Sequence, residues 1–193
     1  MLRFVFLLVA SLTLLVTGFA QAQERVLSVI LDSNSTALGD SVINAVFCAP
    51  AIEGDYVAFR TNNKTSGIAD GIWAYHIPSK SFTKLVGIGT PVPGGTGTFQ
   101  NFNTAGSSLG GPVLKDGVVV FGGVDQGTNP NGFAPVGVYS VPVTGGAITK
   151  IASFQDAAPG TPTNFFNFGE DSRNFGSISQ SNGVVVFEGT FGG

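Results

Sequence analysis

One stretch occurs twice. Gly117-Val118-Val119-Val120-Phe121-Gly122-Gly123 is matched 66 residues later by Gly183-Val184-Val185-Val186-Phe187-Glu188-Gly189. The offset holds without a gap from 71–123 to 137–189, and 15 of the 53 aligned positions are identical. Composition alone would give about four. A period of this length predicts tandem supersecondary units. One unit cannot bury its apolar side alone, so the fold must be built by packing units on one another.

The units carry strand-length apolar runs with no helical apolar period. Strands are expected at 56–59, 71–77, 82–86, 99–102 and 109–114, with counterparts at 118–121, 138–143, 148–153, 165–168 and 175–179. Earlier and later runs at 26–30 and 184–187 read the same way. A polar loop is expected at 61–70, and Pro93-Gly94-Gly95 and Pro159-Gly160 are turns, with proline setting φ and glycine accepting the left-handed region. The division that follows is 23–53 as a degenerate partial repeat, 54–115 as unit one, 116–181 as unit two and 182–193 as the start of unit three. In the first of these, Gly39, Ile43 and Val46 match Gly95, Phe99 and Phe102 at a shift of 56. Residues 118–120 are apolar consecutively, so both faces of that strand should be buried, as in the innermost strand of a propeller blade. Phe99, Phe102, Phe165 and Phe168 recur in register, which assigns them to packing between units ahead of an aromatic ligand platform. The fold class expected is all-β, a propeller-like array of units of about 66 residues forming part of a ring, with a β-sandwich as the alternative. A part-ring would leave apolar faces and strand edges at its ends. The expectation is a longer natural gene or association of copies through those ends.

Only 11% of residues are charged, about half the usual share, which suits many short strands and tight turns. The net charge is −3 and the nine Lys and Arg are scattered, so nucleic acid is not an expected partner. Residues 1–22 have the form of a secretory signal peptide: Arg3, an apolar run over 4–16, then Ala20-Gln21-Ala22 as a small-x-small cleavage pattern. The run is too short to span a bilayer comfortably, and no later stretch is long enough. The mature chain is expected to start at Gln23, with no membrane span, as a secreted, extracellular or cell-surface protein. Cys48 is the single cysteine and reads as a small buried hydrophobe.

Val57-Ala58-Phe59-Arg60, Gly137-Val138-Tyr139, Lys150-Ile151-Ala152 and Pro159-Gly160…Phe165…Phe168 stand in a fixed order. This order resembles a bacterial exported tandem-repeat family with Asn-x-x-Gly-x-x-Ala-Phe-type units. Val120 and Val186 stand where that pattern has Ala, and Trp73 stands where Tyr139 stands one unit later. The resemblance implies a propeller-like surface or secreted protein whose function is mostly unknown.

Chemistry-bearing motifs are sparse. There is no Gly-x-Ser-x-Gly elbow, P-loop or dinucleotide fingerprint. His76, the single histidine, reads as a half-buried strand residue. Glu53/Asp55, Glu170/Asp171 and Glu188 would form an acid–base pair only if folding joined them. Asp125-Gln126-Gly127-Thr128-Asn129-Pro130-Asn131-Gly132 alternates oxygen-bearing side chains, making Asp125, Asn129 and Asn131 the candidate ligands for a calcium ion. Pro130 stands where a calcium loop wants glycine, which favours plain turn chemistry. No other cofactor is expected. The functional expectation is a non-catalytic scaffold presenting loops, above all 124–136, to an unknown extracellular ligand or protein. The rival is a fragment of a propeller-type glycan hydrolase or lyase.

Overall fold

The structure, a computed structural model, describes residues 30–31, 35–42, 49–102, 111–125, 136–154, 156–168 and 178–191. Within them the chain is all-β, folded into several antiparallel sheets, none of them closed. No helix among the described residues is long and apolar enough to cross a membrane.

The first sheet is built from β1 (Ser41–Val42), β2 (Ala51–Glu53), β3 (Tyr56–Asn63), β4 (Ala69–His76) and β5 (Ser81–Gly87). Its order is β1-β3-β4-β5, and β2 joins β1 in pairing the outer side of β3. The second sheet uses β6 (Phe99–Asn101), β7 (Val113–Lys115), β8 (Val118–Asp125), β9 (Val136–Pro142) and β10 (Thr149–Ser153). Its order is β10-β9-β8-β6, with β7 also on β8. Both are therefore meanders whose first strand is interrupted. Two further ladders pair β11 (Phe165–Phe168) with β14 (Gly189–Phe191), and β12 (Ser179–Ser181) with β13 (Val184–Val186).

Tight turns set these registers. Asp116 and Gly117 have φ of 51° and 73°, and Asn182 and Gly183 have 49° and 74°. Two consecutive left-handed residues make the two-residue turn whose twist matches the flanking strands, which is why Asp-Gly and Asn-Gly stand there. Sheet boundaries fall elsewhere than unit boundaries. Residues 54, 116 and 182 lie in these hairpin turns, so the 54–115 stretch gives β3–β5 to the first sheet and β6–β7 to the second.

Two expectations are corrected by the pairing. An innermost blade strand would be a sheet edge, but β8 is bonded on both sides, to β9 and to β6 and β7. Val119 and Val120 are nevertheless both fully buried, one on each face. The polar loop expected at 61–70 shrinks to 64–68, because Thr61 and Asn62 complete β3 and Ala69 and Asp70 begin β4. These polar residues tolerate the strand interior because their side chains are satisfied inside: Asn62 Nδ2 donates to Gly67 O at 2.7 Å, and Thr61 bonds Asp70. The run at 26–29, Ile43, Val46 and Cys48 lie outside the described residues. The pairing puts Ser41 opposite Asn63 as Phe99 is opposite Asp125, so Ser41 holds the register position of Phe99.

Side-chain alternation gives each sheet two faces. The front of the first sheet carries Tyr56, Ala58, Arg60, Ile72, Ala74 and Val86. It packs on the back of the second sheet, where Leu114, Val119, Phe121, Tyr139 and Val141 face it. Phe99 and Phe102 fill this layer, with Phe99 4.9 Å from Tyr139 and 6.1 Å from Phe121 between ring centres. The packing role expected for these phenylalanines is observed. The front of the second sheet, through Val120, Val138 and Ala152, packs in turn on Phe165, Phe168, Val185 and Phe187.

Candidate functional site

Buried polar groups gather at one corner of the first sheet. Ser41 Oγ donates to Asp70 Oδ2 and Thr61 Oγ1 to Asp70 Oδ1, each at 2.7 Å. Exposures are 6% for Ser41, 0% for Thr61 and 9% for Asp70. Beside them buried Arg60 donates from Nη1 to Phe102 O at 3.2 Å, while Phe102 N donates to Ala69 O at 3.1 Å. The peptide of Phe102 is thus held from both sides, tying the second sheet to the first. The two hydroxyls occupy the Asp70 oxygens, and the group is buried. This arrangement positions chain segments.

The exposed chemistry is equally limited. His76 Nδ1 lies 2.7 Å from Ser79 Oγ, which lies 2.7 Å from Ser81 Oγ, and the imidazole stacks on Tyr56 at 4.6 Å. A serine beside the histidine is not legible in the sequence, since Ser79 belongs to the turn after Pro78. The group lies at the surface, and among the described residues no carboxylate is bonded to the imidazole. Among the described residues the orienting third member of a nucleophilic triad is therefore not seen. Glu53 accepts from Lys115 Nζ at 2.5 Å and from Gly117 N at 3.4 Å. Glu188 is exposed after β13. Glu170, Asp171, Asn129 and Asn131 lie outside the described residues. Asp125 ends β8, its backbone paired with Phe99. Among the described residues no group of three or more His, Cys, Asp or Glu is gathered for a metal.

Two ion pairs make stability depend on pH. The Lys115 ammonium, hydrogen-bonded to Glu53, holds that carboxyl below its ordinary 4.5 against some desolvation. At Asp156 burial pushes the pKa up. The Lys150 ammonium at 2.9 Å and two bonds from Ser153 outweigh it, and the net shift is below 3.8. Both folded values are depressed. Their stabilisation is therefore whole above the ordinary carboxylate range and is lost as pH falls through the folded values. We expect the thermal midpoint to be flat from neutral pH to about 5 and to fall below it. Glu53→Gln and Asp156→Asn should each flatten that acid limb. Melting curves at stepped pH test this, and an unchanged acid slope in both variants contradicts it.

What remains is a surface. The back of the first sheet carries Ile52, Val57, Phe59, Trp73, Tyr75 and Phe82, of which Phe59 is buried, with Lys84 Nζ 5.5 Å over the Trp73 ring. Ile52 is 69% exposed, whereas Leu114, at the same position of the second sheet, is 6% exposed under its neighbour. Trp73, Tyr75 and Val57 are half-buried, whereas their counterparts Tyr139, Val141 and Val119 are buried. The fold defines an all-β protein of packed antiparallel sheets, with one sheet face that is only partly covered among the described residues. The chain belongs to the family of unknown function DUF7453, whose model matches residues 16–193. No curated protein matches the chain, and no solved structure does.

Proposed function

We propose that this protein is a non-catalytic, secreted or cell-surface scaffold of propeller-like tandem repeats, holding loops out to an extracellular ligand or protein. The observation that carries the reading is recurrence of individual bonds at one period. Phe99 N donates to Thr90 O at 2.9 Å, and 66 residues on Phe165 N donates to Asp156 O at 2.9 Å. Val92 N to Gly97 O and Ala158 N to Thr163 O are both 3.1 Å. The bridges Pro91–Thr98 and Ala157–Asn164 keep the same offset. Gly87 N is received by Thr90 Oγ1, and Ser153 N by Asp156 Oδ2, so the bond persists where the residue changes. Packing repeats too, front on back each time. β7 lies beside β2 and β12 lies beside β7, so the interrupted strands converge as the inner strands of blades do. The loop between β8 and β9, which differs from its counterpart one unit earlier, is the place for recognition, with calcium the cation suited to Asp125, Asn129 and Asn131.

Deleting 71–136 removes one full period and joins Asp70 to Gly137. A repeat array loses a unit and stays folded. The expected product melts cooperatively with a β-type circular dichroism spectrum and, after export, has a mass beginning at Gln23. A chain that fails to fold after the deletion contradicts the repeat reading, and one that keeps 1–22 contradicts export.

A further inference from the structure

Among the described residues Asn182 is the asparagine that precedes a glycine. The pair Asn182-Gly183 makes the two-residue turn between β12 and β13. The three hairpin tips 54–55, 116–117 and 182–183 are all exposed. The tip at 116–117 is exposed although β8 behind it is paired on both sides and buries Val119 and Val120 on its two faces. Exposure at 182–183 therefore follows from being a tip, whatever covers the strands. Gly183 N donates to no group among the described residues, and the Asn182 side chain has no partner there. The other asparagines are held or crowded. Asn62 is buried with its Nδ2 on Gly67 O, Asn63 Oδ1 accepts from Thr65 N and Ser66 N, and Asn101, Asn164 and Asn167 each precede a phenylalanine. One period earlier the same turn carries Asp116-Gly117, where a carboxylate replaces the amide and Gly117 N donates to Glu53 Oε2 at 3.4 Å.

We propose that Asn182-Gly183 is a self-modification site, at which the Asn182 amide is lost through a cyclic imide. Gly183 N attacks Asn182 Cγ, the Cγ–Nδ2 bond breaks, and ammonia leaves with the proton from Gly183 N. Nothing is oxidised or reduced. Water then opens the ring at one of its two carbonyls. Opening at Cγ restores the ordinary main chain and leaves aspartate. Opening at the main-chain carbonyl leaves isoaspartate, whose backbone runs through Cβ. Glycine permits the attack because no side chain shields its nitrogen and its backbone turns freely. The turn as folded must open for the ring to close, and the ladder behind it is short, since β12 and β13 have three residues each. Short exposed hairpins open locally without global unfolding. The two products differ in consequence. Aspartate copies Asp116, which holds the same turn at φ 51° where Asn182 has 49°. Isoaspartate adds a backbone atom to a loop whose register, Ser181 opposite Val184, closes with two residues. It therefore loosens β13 and the packing of Val185 against the front of the second sheet.

The test ages the whole folded chain in mildly alkaline buffer and digests samples with trypsin at intervals. Cleavage after Arg173 releases 174–193, apart from the peptide that holds Asn131-Gly132, a pair outside the described residues. Peptide 174–193 is expected to gain about 1 Da with time as an amide becomes an acid, and fragmentation should place the gain at Asn182. Enzymatic methylation specific for isoaspartate should label the same peptide increasingly. Asn182→Asp should show no gain at that position and should melt, when fresh, at the parent's midpoint. Aged parent should melt below fresh parent as isoaspartate accumulates. A peptide whose mass does not change with time overturns the proposal. So does a gain placed at Asn174, or an acid product that never includes isoaspartate, since the cyclic imide yields both.

Discussion

Phe99→Ala is expected to lower the unfolding free energy by about 3–5 kcal/mol. Phe99 is fully buried and touches the rings of Phe102, Phe121 and Tyr139. Removing it opens a cavity between two sheets whose strand pairing prevents collapse. The effect should appear as a shift in the urea midpoint with an unchanged slope. Phe165→Ala, at the matching place, should cost about half as much, because Phe165 is only half-buried. The glycine beneath the ring gives a second reading of the same site. A Cβ on Gly123 would lie 2.6 Å from Phe99 Cε1, and one on Gly189 would lie 2.7 Å from Phe165 Cε1. Gly123→Ala alone should therefore cost about 1–3 kcal/mol by overpacking. In the Phe99→Ala background its methyl enters the cavity instead, so the double variant should be more stable than the two losses added. Strict additivity would show that the ring does not rest on that glycine.

This pairing explains why the 66-residue period is visible at all. Phe99, Phe102 and Gly123 recur because each constrains the others through contact, and Gly71 and Gly137 recur for a related reason. A Cβ at Gly137 would lie 2.5 Å from Tyr139 Oη, and one at Gly71 would lie 3.1 Å from Trp73 Nε1. In both, the aromatic two residues on lies over the glycine. Positions without such a constraint drift. Lys84 stacks on Trp73 while its counterpart Lys150 pairs with Asp156.

The strands missed in the sequence are those with little pattern to read. β1 has two residues and β2 has three, too few for alternation to register. The extension of β3 through Arg60, Thr61, Asn62 and Asn63 is polar, and polarity ordinarily marks a loop. What makes it a strand is pairing on both sides, with Ala69 and Gly71 of β4 just after it and with Ser41 and Val42 of β1 well before it in the chain. No local window contains both. The same limit applies to Ile52 and Leu114, which look alike as residues, and only packing makes one exposed and the other buried.

The Ser41–Thr61–Asp70 corner is where the first sheet departs most from the second, which has Phe99, Gly123 and Val136 at the corresponding register positions. Asp70→Ala should cost about 2–6 kcal/mol, because two buried hydroxyls each lose their 2.7 Å acceptor at about 1–3 kcal/mol, Thr61 Oγ1 keeping only the 3.4 Å contact with Gly71 O. Asp70→Asn keeps one amide oxygen for one hydroxyl and should fall between the parent and the alanine variant. The decisive protein is the triple variant Ser41→Ala, Thr61→Val, Asp70→Ala. It removes every member of the group, so no polar atom of the three remains buried without a partner, and the desolvation of the carboxylate is relieved as well. The triple variant should therefore be more stable than Asp70→Ala alone, despite carrying two more substitutions. Urea unfolding of the four proteins gives the comparison directly. If the triple variant is the least stable, the corner is held by net attraction among its members, and orphaned hydroxyls are not the source of the cost of Asp70→Ala.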